Sequence, residues 1–114
     1  YLLRREPMGL FFDTLFGPPQ TMTRELGLRI YYTITAAFRA DEIDQNPYRF
    51  DYAHAYLVAA KQLDSIVTSK TIQQNVAAIL SDMLTEDRML GRQNAEERAR
   101  AFAERFNTFY PNLL

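Results

Sequence analysis

Thr71–Leu90, TIQQNVAAILSDMLTEDRML, is the stretch that decides the fold. Ile72, Val76, Ile79, Leu80 and Met83 recur at gaps of four, three, one and three residues, the spacing of one face of an α-helix, while Gln73, Gln74, Ser81 and Asp82 fall elsewhere. A helix with such a stripe hides it only against other elements, and the segments on either side are also amphipathic with a helical period. The expectation is therefore an all-α domain, a small bundle of about four helices over residues 21–114, preceded by an irregular apolar arm at residues 1–20.

Working outward, the preceding helix is expected from about Thr21 to Ala40, capped by Thr21 or Thr23. Leu26, Ile30, Ile34 and Phe38 form its stripe. Gly27 inside that pattern calls for tight packing or a later start. Asp41, Glu42 and Asp44 then read as a solvated acidic turn ending at Asn46-Pro47, a pair suited to begin a helix, with asparagine as cap and proline in the first turn. The next helix is expected over Tyr48–Thr68 with Ala53, Leu57, Ala60, Leu63 and Val67 on its core face. Thr68 or Ser69 caps the Thr71–Leu90 helix, and Gly91 ends it. Asn94 opens a last helix, Ala95–Phe109, with Ala99, Phe102, Ala103, Phe106 and Phe109 or Tyr110 inward and Arg98, Arg100 and Arg105 mostly elsewhere.

Residues 1–20, YLLRREPMGLFFDTLFGPPQ, resist this scheme. Leu10, Phe11, Phe12, Leu15 and Phe16 make a dense apolar cluster between Pro7 and Gly9 on one side and Gly17-Pro18-Pro19 on the other, leaving room for two short helical turns at most. Such a cluster must dock, either over the open end of its own bundle or into a partner. The Arg4-Arg5 pair beside Leu2 and Leu3 is a weak signal of proximity to a membrane surface. No apolar run is long enough to span a bilayer.

Composition narrows the functions. The net charge of −1 gives no general attraction to nucleic acid, and eleven arginines against two lysines favour paired, protein-facing cations. With no cysteine there is neither a disulfide nor a thiolate metal site. The chain opens on Tyr1, which suits a processed protein, including an organellar or mitochondrial one, or a piece of a longer chain.

Site chemistry is sparse. His54, the single histidine, stands three residues after Asp51, too little for a catalytic or metal centre. Glu86 and Asp87 are sequence neighbours and are expected to diverge on their helix. The four glycines are scattered, which removes a phosphate cradle, and no cofactor is implied. The expected function is a non-enzymatic interaction subunit of a larger protein assembly, docking on other chains through Leu10, Phe11, Phe12, Leu15, Phe16 and Tyr110. The alternative is a helical nucleic-acid-binding regulator using residues 70–106, with Arg88, Arg92, Arg98, Arg100 and Arg105 as its basic stripe.

Overall fold

Ser69 and Gly91 bracket the decisive stretch, and the computed structural model, which describes residues 20–114, forms a helix between them. Among the described residues it is the third of four: α1 Arg24–Asp44, α2 Ala53–Leu63, α3 Lys70–Leu90 and α4 Ala95–Phe109, with one 3-10 turn at Pro47–Arg49. No strand occurs among the described residues. The arm residues Leu10, Phe11, Phe12, Leu15 and Phe16 lie outside them.

Caps define most of the boundaries. Thr23 Oγ1 accepts from Leu26 N at 3.1 Å, Ser69 Oγ from Ile72 N at 3.3 Å, and Asn94 Oδ1 from Glu97 N at 3.0 Å, each satisfying a donor that the first turn leaves open. Gly91 ends α3 in the left-handed region at φ 64°, where a side chain would be strained.

The four helices run alternately up and down. Asp41 near the end of α1 meets the start of α2, Leu63 and Val67 meet the beginning of α3, and Asp87 near the end of α3 meets Arg98 in the first turns of α4. Helix α1 packs most extensively, against both α2 and α4, whereas among consecutive helices α2 and α3 touch less than α1 and α2 or α3 and α4. The core is the predicted α1 stripe of Leu26, Ile30, Ile34 and Phe38, the predicted α3 stripe, and Phe102 and Phe106 of α4. Phe38 meets Tyr56 edge-on at 5.5 Å, and Phe102 lies 5.5 Å from Phe106.

Several expectations are corrected. Helix α1 continues four residues past Ala40, so DEID is its last turn and not a solvated loop, and Asp41 points inward and is buried. The second helix does not run from Tyr48 to Thr68. Its first part is a single 3-10 turn capped by Asn46, after which Asp51 exchanges both backbone hydrogen bonds with the Gln45 side chain (2.7 and 3.0 Å), interrupting the helical ladder. At the other end the Gln20 side chain takes the N–H groups of Thr68 and Ser69, and Gln73 donates to Val67 O, which holds that segment out of helix. The shorter α2 buries Ala55, Tyr56, Ala59 and Leu63, while Leu57, assigned to the core by periodicity, is 69% exposed and Ala60 also faces out. In α4, Ala99 and Ala103 are only half-buried and Phe109 is exposed.

Gly27 is buried within α1, and a Cβ there would stand 2.8 Å from Leu113 Cδ2. The chain's end folds back onto this spot, with Leu113 O accepting from Arg24 Nη1 at 3.1 Å. Tight packing therefore accounts for the glycine, and the helix does not start late.

In urea titrations, Phe102→Ala is expected to remove about 3–5 kcal/mol by leaving a cavity beside Phe106 and Tyr31. Gly91→Ala is expected to remove about 1–2 kcal/mol through its left-handed backbone. Equal losses at the two positions would contradict this core.

Candidate functional site

Arg98, the fourth residue of α4, stands four residues before Phe102 and eight before Phe106, on the inward side of the helix, where a charged residue is unexpected. Arg98 is nonetheless wholly buried, at 0% exposure. Asp87 near the end of α3 accepts from its Nε at 2.9 Å, Asp41 near the end of α1 accepts from Nη1 at 3.3 Å, and Tyr52 O before α2 accepts from Nη2 at 3.1 Å. The guanidinium carbon lies 4.5 Å from the centre of the Phe38 ring and 5.2 Å from that of Tyr56, so aromatic faces enclose the charge where water would otherwise solvate it. All four helices meet at this one cation.

Both aspartates are fully used. Asp41 also accepts from Ala55 N at 3.2 Å, which sets a carboxylate against the positive first turn of α2, and pairs with His54 Nδ1 at 2.8 Å. Asp87 also accepts from the Tyr56 hydroxyl and from Arg92 Nη1 at 3.1 Å. Burial, reinforced by the hydrogen bond to Asp87, pushes the Tyr56 phenol far above its ordinary value, so it stays a donor at every physiological pH. Arg92 Nη1 also donates to Glu86 Oε1 at 2.7 Å, and Glu86 Oε2 accepts from Arg105 Nη2 at 2.7 Å. Hydrogen bonds from Arg92 and Arg105 hold the Glu86 carboxyl below its usual range. Glu86 and Asp87 thus share one guanidinium and do not diverge as the sequence suggests. Two further acids serve helix starts: Glu42 of α1 accepts from Ala95 N at 3.0 Å at the start of α4, and the Asp51 carboxylate caps Ala53 N locally, also at 3.0 Å, while the His54 ring pairs with Asp41.

Chemically, this cluster is closed. Every buried side-chain nitrogen and oxygen among the described residues has a partner, and Arg98, Asp41 and Asp87 line none of the described cavities. No described group of three or more histidine or acidic side chains is placed to hold a metal ion. His54 is the most open member of the cluster, with its side chain 58% exposed, and Glu86, Arg92 and Arg105 form its partly exposed rim. The hydrogen bond of His54 to Asp41, opposed by desolvation and aided by the charges of Asp41 and Asp51, raises its pKa above the ordinary 6.5.

A second feature lies where α2 and α3 fail to close. The seam forms an apolar groove in two contiguous parts. One, of about 200 Å³, lies between Leu63 and Val67 on one wall and Val76 and Leu80 on the other. The other, of about 300 Å³, lies between Ala53 and Leu57 on one wall and Ser81 and Leu84 on the other, and Ala60, Ala77 and Leu80 belong to both. Its small residues are Ala53, Ala60 and Ala77. Tyr110, the described member of the expected docking set, lies outside the groove. It is half-buried, 5.1 Å from Phe106, and its hydroxyl accepts from Asn75 Nδ2 at 2.9 Å.

Comparison of the chain with family models, with curated proteins and with solved structures finds no match.

Removing Arg98 strands two buried carboxylates, so Arg98→Ala is expected to cost about 3–5 kcal/mol in chemical denaturation. An apolar replacement of Arg98, Asp41 and Asp87 together is expected to recover most of that loss. A triple variant less stable than the single one would refute this account of the cluster. For His54 the folded pKa is the higher one, so its stabilisation is complete below the unfolded value of 6.5 and fades as pH rises through the folded value. The difference in melting midpoint between the native chain and His54→Gln is therefore expected to shrink from about pH 5.5 to about pH 8.5. A difference that grows with pH would reverse the assignment.

Proposed function

We propose that this chain is a non-enzymatic interaction subunit of a larger protein assembly, docking through the α2–α3 face and its aromatic N-terminal arm. The observation that carries the reading is the apolar groove on that face, with Leu57 standing exposed at its wall. An exposed leucine beside a contiguous apolar channel is surface that association removes from water. The engagement of Arg98, Asp41 and Asp87 with one another supports the same reading, since these buried groups join helices and are turned away from any substrate.

The nucleic-acid alternative for residues 70–106 has less support. Arg92, Arg98 and Arg105 are engaged by Glu86, Asp87 and Asp41, which leaves Arg88 and Arg100 exposed on a segment with six basic and six acidic residues. That is too little field to hold a phosphate backbone.

The test is the native size of the chain in extracts of its source cells. The chain is expected to elute well above its monomer size, and Ala77→Arg, at an exposed groove position, is expected to return it to monomer size with its helical circular-dichroism spectrum retained. Elution of the unaltered chain as a monomer would overturn the proposal. Tight, salt-sensitive binding of duplex DNA by the purified chain would transfer support to the alternative.

A further inference from the structure

The groove between α2 and α3 opens beside the point where the N-terminal arm leaves the bundle. Gln20, the first described residue, is fixed to the turn that joins these two helices. Its Nε2 donates to Ile66 O at 3.0 Å, and its Oε1 accepts from Thr68 N at 2.8 Å and Ser69 N at 3.1 Å. Val67, between those contacts, lines the near end of the groove. From that end the channel follows α2 back from Leu63 to Ala53, a helical length of about 15 Å.

Nineteen residues precede Gln20, and the four nearest, Phe16-Gly17-Pro18-Pro19, reach at most about 13 Å when extended. That reach is comparable with the length of the channel, which begins beside the turn that Gln20 holds. The Gly-Pro-Pro sequence suits a change of direction at the mouth. Beyond it the apolar residues fall in two pairs at a spacing of four, Phe12 with Phe16 and Phe11 with Leu15, a sequence pattern that keeps Asp13 and Thr14 off the apolar side of a helical period. Large aromatic side chains and an alanine-lined channel are complementary in shape and polarity, the pairing of an amphipathic helix laid in a groove.

We propose that Leu10–Phe16 of the same chain occupies the α2–α3 groove, so that the isolated protein covers its own docking face. The inference rests on the reading of that face as a docking surface, and it names the first occupant. A second copy is the weaker candidate, because each chain's Gln20 already delivers its own arm to its own groove at a high effective concentration. A partner chain then engages the face together with the arm, or displaces it.

The chain has no cysteine, so introduced pairs report cleanly. A bridge requires Cα atoms within about 7 Å. Under mild oxidation of the dilute, full-length purified chain, Leu15→Cys with Ala60→Cys is expected to form an intrachain disulfide. The rate should be at least roughly tenfold faster than for Leu15→Cys with Arg100→Cys, whose second site lies on the α1–α4 side. Equal rates would overturn the proposal, and so would bridging between chains, which would assign the groove to a second copy. An independent readout is maleimide labelling of the single Ala60→Cys variant, expected to accelerate roughly tenfold when Phe12→Asp and Phe16→Asp are added to the full chain. Unchanged labelling would overturn the proposal even if the bridge forms. Both experiments use the purified chain, so a monomeric state in cell extracts, which would refute the assembly role, leaves them unaffected.

Discussion

One guanidinium sets the terms for the rest of this fold. Arg98 carries a full charge at a site without water, and moving such a charge out of solvent costs several kcal/mol unless each of its donors is met. Asp87, Asp41 and Tyr52 O meet them, and these three acceptors come from α3, α1 and the residue preceding α2. The apolar stripes tolerate some sliding of one helix on another, because burial of area has no direction. The cluster does not, since a helix displaced by one turn would separate a charge from its partner. Hydrophobic burial supplies most of the drive toward a bundle, and the ion cluster selects one register for it.

The arrangement also gives the bundle two unlike ends. The finish of α1, the start of α2, the finish of α3 and the start of α4 meet at the charged end. There the carboxylates of Asp41 and Glu42, both on α1, are turned to the positive first turns of α2 and α4. The acidic closing turn of one helix therefore serves the openings of two others. At the opposite end the contacts are mostly apolar, with Leu113 over Gly27 and Tyr110 against Phe106, and the chain enters through Gln20 at the α2–α3 turn.

Most of the fold was legible in the residues, and the failures share a cause. The spacing of Ile72, Val76, Ile79, Leu80 and Met83 gave α3, and Asn94 gave the start of α4, because periodicity and caps act within a few residues of themselves. Helix α2 was misjudged because the groups that interrupt it, the Gln45 and Gln20 side chains, are polar residues whose backbone partners lie six or more positions away. That error rotated the assigned core face and hid the exposure of Leu57. The cluster was illegible for a stronger reason. A hydropathy pattern scores Asp41, Asp87 and Arg98 as solvent-facing, and only their mutual proximity, across 57 positions for Asp41 and Arg98, reverses the sign. One clue was available: Asp41 follows the α1 stripe of Ile30, Ile34 and Phe38 at its next step of three, and Asp87 extends the α3 stripe four residues beyond Met83.

Burial of the cluster also decides how the protein responds to ionic strength. Mobile ions weaken attractions that pass through solvent, over about 8–10 Å at ordinary concentrations, but they do not enter a dry interior. The Arg98 pairs lie inside that excluded region, while the Arg105–Glu86 pair at its edge is partly open to solvent. Brine therefore acts on the rim and leaves the centre intact. A protein joined this way keeps its helices in register across changes of salinity that would loosen one held by surface charge, and the features left to respond are those outside the cluster, the apolar seam among them.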